Sequence, residues 1–172
     1  MPSNIEIKAR LRDRETVETR VRGRADHGPE LIVQEDVFFG CSEGRLKLRT
    51  FVDGSGELIF YRRPDAEGPA ESRFTKVSTT DPVGLRDLLA MALGTAGVVR
   101  KQRTLYLIGQ TRVHLDAVEG LGDWLELEVV LAPRQSSSEG AVIAEELMAD
   151  LGIDPGELEA RAYVDLLISR DD

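Results

Sequence analysis

Asn4-Ile5-Glu6-Ile7-Lys8-Ala9-Arg10-Leu11 alternates polar and apolar at every step. Successive side chains of a β-strand point to opposite faces, so this run reads as a strand with one apolar and one charged face. The pattern returns in Arg45-Leu46-Lys47-Leu48-Arg49 and in Trp124-Leu125-Glu126-Leu127-Glu128-Val129-Val130-Leu131. A chain built from such strands must bury one face of each. The destination of the charged face decides what the protein is for.

Turn signals divide the rest of the chain. Asp13 caps a short helix to about Arg24, and His27-Gly28-Pro29 reads as a loop. Strands are expected over 31–39, 45–49, 57–63, 71–78, 98–107, 112–118 and 124–131, beside the first over 4–11. The 40–44, Asp53-Gly54-Ser55-Gly56 and Gly120-Leu121-Gly122-Asp123 segments are hairpin-length connections. Asp81-Pro82 opens a helix that Gly94 stops. Residues 134–140 read as a polar linker. Two C-terminal helices follow, one ending near Gly152 and the last opening at Asp154-Pro155 with Leu158, Tyr163, Leu166 and Leu167. About eight strands joined by short turns predict a mostly β (α+β) chain: a closed, eight-stranded antiparallel barrel with flanking helices, since closure removes exposed edges.

Composition narrows the partners. The 172 residues suit a single domain spanning 1–172, with its core at about 3–168. The net charge of −9 argues against a nucleic-acid surface, which needs basic patches. A local cluster of cations can still bind a small anion. One cysteine, Cys41, allows no intramolecular disulfide, and it has no partner motif for a nucleophile. MPSNIEIKAR has no apolar core of a signal peptide, and the apolar stretch of 88–99 is broken by Gly94 and Gly97. The expectation is a cytoplasmic protein with no membrane or nucleic-acid partner, as monomer or homodimer.

The charged faces carry the chemistry. Glu6, Lys8 and Arg10 share one face, as do Arg45, Lys47 and Arg49. Lys101 and Arg103 form another such pair, as do His114 and Asp116, while Glu126 and Glu128 stand with Trp124. Arg62 falls on the face of Phe60. Carboxylates at i and i+2 sit ~7 Å apart along a strand, within reach of hard cations such as Mg²⁺ or Mn²⁺. Arginine and lysine from other strands can clamp phosphate oxygens. Alternation fits two arrangements: faces turned to water, or faces gathered inside a barrel.

The order of motifs resembles the CYTH superfamily, the triphosphate tunnel metalloenzymes. That family includes class IV adenylyl cyclases, thiamine triphosphatases and inorganic triphosphatases. Asn4-Ile5-Glu6-Ile7-Lys8 is similar to its ExExK signature. Gln34-Glu35-Asp36-Val37-Phe38-Phe39 is similar to its Q-x-D-x-(Y/F)-F strand, and Gly44 to Arg49 to its basic strand. Phe60-Tyr61-Arg62 stands at its Y-K pair, Gly68-Pro69 with Ser72-Arg73 at the segment that follows, and Lys101-Gln102-Arg103 at its K-x-R strand. The most specific stretch runs from His114 to Glu128, which resembles D-x-V-x-G-L-G-x-(F/W)-x-E-(L/I)-E. Ala162-Tyr163-Val164-Asp165-Leu166-Leu167 resembles the C-terminal S-Y-x-x-L-L motif.

The resemblance implies a polar tunnel with helices outside. It implies that Glu6, Asp116, Glu126 and Glu128 hold Mg²⁺ or Mn²⁺, and that Glu6, Glu126 and Glu128 are catalytic. Lys8, Lys47, Arg49, Arg62 and Arg103 would hold the phosphates, with Arg45, Arg73 and Lys101 as further candidates. Two positions depart from the pattern. Asn4 replaces the first acidic residue of ExExK with a neutral, weaker ligand, and Ala162 replaces the serine before Tyr163.

His114 lies two residues from Asp116 and is expected to support the site from behind. Trp124 and Tyr61 read as packing residues and Tyr163 as support for the tunnel mouth. The Gly120-x-Gly122 pair reads as a turn, and no P-loop is present. The expected function is metal-dependent hydrolysis of a triphosphate-containing small molecule. The alternatives are class IV-type cyclisation of ATP and non-catalytic binding of polyphosphate or nucleotide.

Overall fold

The structure, a computed structural model, describes residues 1–171. Its elements run β1 (Ser3–Arg10), α1 (Arg14–Arg22), β2 (His27–Phe39), β3 (Arg45–Phe51), β4 (Gly56–Arg62) and β5 (Ala70–Thr79). They continue with α2 (Pro82–Leu93), β6 (Thr95–Ile108), β7 (Thr111–Val118), β8 (Gly122–Val130), α3 (Ser137–Leu151) and α4 (Tyr163–Asp171). The strands close into a barrel in the order β1-β5-β4-β3-β2-β6-β7-β8. Every neighbouring pair is antiparallel.

Alternation sets the two faces. Ile5, Ile7 and Ala9 of β1 join Val113, Leu115, Leu125, Leu127 and Val129 in a buried layer on the outside of the barrel wall. Helices α1 and α3 cover that layer with Val17, Val21, Ala144, Leu147 and Leu151. Burying one such Leu or Ile contributes ~1.5–3 kcal/mol. A second outer layer, Val37, Phe39 and Leu48, lies under Leu85 and Leu89 of α2. Close approach is built in at Gly140 of α3, where a Cβ would come within 2.5 Å of Leu131 and 2.7 Å of Ile5. The polar residues of the same strands therefore face inward, inverting the usual small barrel with its apolar filling.

Helix α4 packs over one end of the interior. Its Tyr163, Val164 and Leu166 cluster with Phe38, Val99, Val118, Leu121 and Trp124. Gly97 on β6 permits this, since a Cβ there would meet Val164 at 2.5 Å. Trp124 and Tyr163 meet edge to face, 5.7 Å between centroids.

Asp13, Asp81 and Gly94 cap their helices as expected. Apart from small shifts at element ends, three assignments change. His27-Gly28-Pro29 belongs to β2, whose first residues pair with β6. The linker at 134–140 ends early because Ser136 and Glu139 form a reciprocal capping box that starts α3. Asp154-Pro155 opens only a 3-10 turn, Pro155–Glu157. Leu158 then bridges to Ala9, and the Glu159 N–H donates to the Lys8 carbonyl at 2.9 Å, so the chain pairs with β1 here instead of continuing as a helix. Among the described residues no helix is long and apolar enough to cross a membrane.

Candidate functional site

Strand register assembles the inner surface. Glu6 stands opposite Glu128, and Lys8 opposite Glu126, in the β1–β8 pair. His114 stands opposite Glu126, and Arg112 opposite Glu128, in the β7–β8 pair. Arg103 faces Asp116 across β6–β7, and Asp36 faces Arg49 across β2–β3. Directly opposed residues hold their Cβ atoms ~4.5–5.5 Å apart, so residues distant in sequence become one cluster.

The interior is a cavity of about 420 Å³, within the range of small-molecule sites. Nine Lys and Arg side chains line it against four glutamates, although the whole chain carries −9. The cationic excess is local, and it is the condition for holding a polyanion.

Two buried carboxylates organise the cations. Asp36 accepts from Lys47 at 2.9 Å and from Arg49 at 2.7 and 2.8 Å. Burial opposes its ionisation, but Arg49 and Lys47 outweigh that and hold its pKa far below the usual range. Asp116 is fully buried and accepts from Arg103 at 2.7 Å on each oxygen, from Lys101 at 3.1 Å and from the Tyr163 hydroxyl at 3.1 Å. Expected as a metal ligand, Asp116 instead lies behind the cavity wall with both oxygens engaged, as the counter-ion that aims Lys101 and Arg103.

The three glutamates face the cavity. Glu126 accepts from Arg103 at 2.8 Å and lies 3.9 Å from Lys8. Burial, together with Glu128 and Glu126 nearby, raises the pKa of Glu6 to about 7, although Arg63 at 3.4 Å works against the rise. Burial also lowers Lys8, and it lowers Lys47 to about 8 against the pull of Asp36.

Lys8, Lys47, Arg49, Lys101 and Arg103 thus share the cavity with Glu6, Glu126 and Glu128. Arg45 lies at the wall near α4, paired with Asp165 at 2.7 Å and Asp65 at 3.1 Å. Arg62 and Arg73 are not brought in. Their side chains are 60% and 65% exposed and pair with Glu43 and Glu71. The reason is parity: Ile59 and Tyr61 of β4, and Ser72 and Phe74 of β5, face inward, so Arg62 and Arg73 face out. The inward arginine after Tyr61 is Arg63, 8% exposed, donating to the Ala160 carbonyl at 3.0 Å. Sequence reasoning missed Arg63, Lys76 and Arg112. Counting by twos from Tyr61, Phe74 and His114 would have found them.

His114 is 1% exposed, lines the cavity, and has neither ring nitrogen in a hydrogen bond. Burial, and then Arg103, lowers its pKa and favours the neutral ring, against Glu128. One donor atom each from His114, Glu126 and Glu128 lie within 4.8 Å of one another. Carboxylate oxygens beside an unpartnered buried nitrogen form a donor set that fits a divalent cation such as Mg²⁺ or Mn²⁺.

Known proteins share this architecture. The PH1012 protein of Pyrococcus horikoshii OT3 superposes with a TM-score of 0.83 at 25% identity, covering 95% of this chain and 98% of that one. The Hippeastrum HpAC1 structure, reported with a dominant triphosphatase activity, gives a TM-score of 0.65 at 17% identity, over 98% and 95% of the two chains, a likeness of fold. In sequence, the adenylate cyclase CyaB of Aeromonas hydrophila is 26% identical over 174 residues, 92% of this chain and 85% of the relative. The model of the CYTH domain matches residues 3–163, the whole barrel and the start of α4. With its charged interior and its closed barrel of eight strands, this chain belongs to the CYTH family.

Proposed function

We propose that the protein is a metal-dependent triphosphatase acting on a triphosphate held inside the barrel. The observation that carries this reading is the opposition of three inward glutamates, Glu6, Glu126 and Glu128, to a wall of inward cations. Lys47, Arg49, Arg63, Lys101 and Arg103 hold the phosphate oxygens, the arginines by paired hydrogen bonds. Asp36 and Asp116 keep four of these cations in fixed positions before a substrate arrives, so little ordering remains to be done on binding. Glu126 and Glu128 would hold a divalent cation, which would supply positive charge to neutralise the phosphates. Glu6, with its pKa near neutrality, accepts the proton of the attacking water.

A second reading has its own support. The match to the Aeromonas hydrophila cyclase covers most of both chains, and the same cationic wall would hold ATP while the ribose 3′-hydroxyl attacks the α-phosphorus and pyrophosphate leaves.

Purified protein with Mg²⁺ or Mn²⁺ should be given tripolyphosphate, thiamine triphosphate and ATP separately. Phosphate, pyrophosphate and cyclic AMP should be followed together. Phosphate release that falls at least ~100-fold in a folded Glu128→Gln variant supports the triphosphatase. Cyclic AMP with pyrophosphate moves the assignment to cyclase. Tight tripolyphosphate binding without turnover leaves a binding module.

A further inference from the structure

His114 is an inward group whose chemistry the triphosphatase reading leaves unused. Its ring is buried on β7, opposite Glu126 in register, and it lines the cavity. Both ring nitrogens lack a hydrogen-bond partner. Leaving a buried polar group unsatisfied costs ~1–3 kcal/mol, and native structures seldom do it. The charged groups around it are Arg103, Glu126, Glu128 and Asp116. None of these closes a hydrogen bond with it. Its Nδ1 lies 3.8 Å from Glu126 Oε2 and 3.7 Å from Glu128 Oε1.

Those separations are too long for hydrogen bonds and suit a shared cation. An ion ~2.2 Å from two ligand atoms separates them by ~3.1 Å at a right angle and by ~4.4 Å when they are opposite. Both distances fall between these limits. Glu126 Oε2 also accepts from Arg103 at 2.8 Å, which fixes the carboxylate beside His114.

We propose that the His114 imidazole is a direct metal ligand, completing with Glu126 and Glu128 a mixed nitrogen–oxygen site that prefers Mn²⁺ to Mg²⁺. The proposal rests on the metal-dependent reading of the site. Imidazole is softer than carboxylate, so its presence shifts selectivity away from Mg²⁺, which is bound through oxygen. The chain has only one other histidine, His27, which is exposed at the start of β2.

The test uses the full-length protein, freed of metal and loaded with less than one equivalent of Mn²⁺. Electron spin-echo modulation should show nitrogen coupled to the bound ion. The modulation should change when histidine alone is isotopically labelled, persist in His27→Ala and vanish in His114→Gln. Calorimetry should show Mn²⁺ affinity falling about tenfold in His114→Gln, with Mg²⁺ affinity changing less. Bound Mn²⁺ without nitrogen coupling in the wild-type protein overturns the inference, and this measurement needs no variant to fold. If that nitrogen-free Mn²⁺ is lost in Glu128→Gln, the carboxylate metal site survives and only the role of His114 falls. If Mn²⁺ does not bind, or binds equally in Glu128→Gln, the metal reading and the inference fall together.

Discussion

Glu6 on β1 and Glu128 on β8 stand directly opposite each other across an antiparallel pair, and Arg63 approaches Glu6 to 3.4 Å. Two half-buried carboxylates in register resist ionising together, and here Glu6 is the one that keeps its proton toward neutrality.

This pair gives the metal-free protein a pH signature. The pKa of Glu6 rises from 4.5 to about 7, chiefly through burial and then through Glu128 and Glu126. The folded state therefore binds more protons than the unfolded chain between those values. The stabilising contribution is full below pH 4.5 and is lost as pH rises through about 7. Denaturant titrations at pH 5 and pH 8 should show the wild-type protein losing roughly 2–3 kcal/mol more than Glu6→Gln over that interval. Equal losses would refute the assignment.

Lys47 titrates in the opposite sense for ligand. Burial brings its pKa down to about 8 despite Asp36 at 2.9 Å, so its charge fades above that pH. Tripolyphosphate affinity by calorimetry should weaken about tenfold between pH 7 and pH 9, as a group one unit above its pKa is about nine-tenths deprotonated. Lys47→Arg, permanently charged, should flatten the profile.

Neighbouring arginines on β4 and just beyond it should behave oppositely. Arg63 reaches Glu6 from inside, whereas Arg62 is 60% exposed and paired with Glu43. Arg63→Ala should weaken tripolyphosphate binding ~10-fold or more, the scale of a lost charge-assisted hydrogen bond. Arg62→Ala should stay within about twofold, since exposed pairs contribute little. Comparable losses in both would mean that the barrel register is wrong.

Asn4 lines the cavity two residues before Glu6 and is only 7% exposed. Asn4→Glu adds a carboxylate to the acidic side, and Mn²⁺ binding should tighten several-fold, with turnover rising if cation occupancy limits it. Unchanged Mn²⁺ affinity would place Asn4 outside the cation's reach.

Much of this was legible before the fold. Alternation placed Ile5, Ile7, Leu125 and Leu127 on one face and Glu6, Lys8, Glu126 and Glu128 on the other. The caps at Asp13 and Asp81 set helix starts, because capping is a local hydrogen bond between near neighbours.

The chain's own order of residues determined which side chains share a strand face, since that depends only on a period of two along one segment. Tertiary structure alone decided which faces meet. Glu6 and Glu128 lie 122 positions apart and become opposed through register. That register also turned Arg63 inward and Arg62 outward, a choice that depends on where a strand enters the barrel. It buried Asp116 behind Arg103 and left His114 without a partner, because contact between strands follows from closure of the sheet and from the packing of α4 over its end.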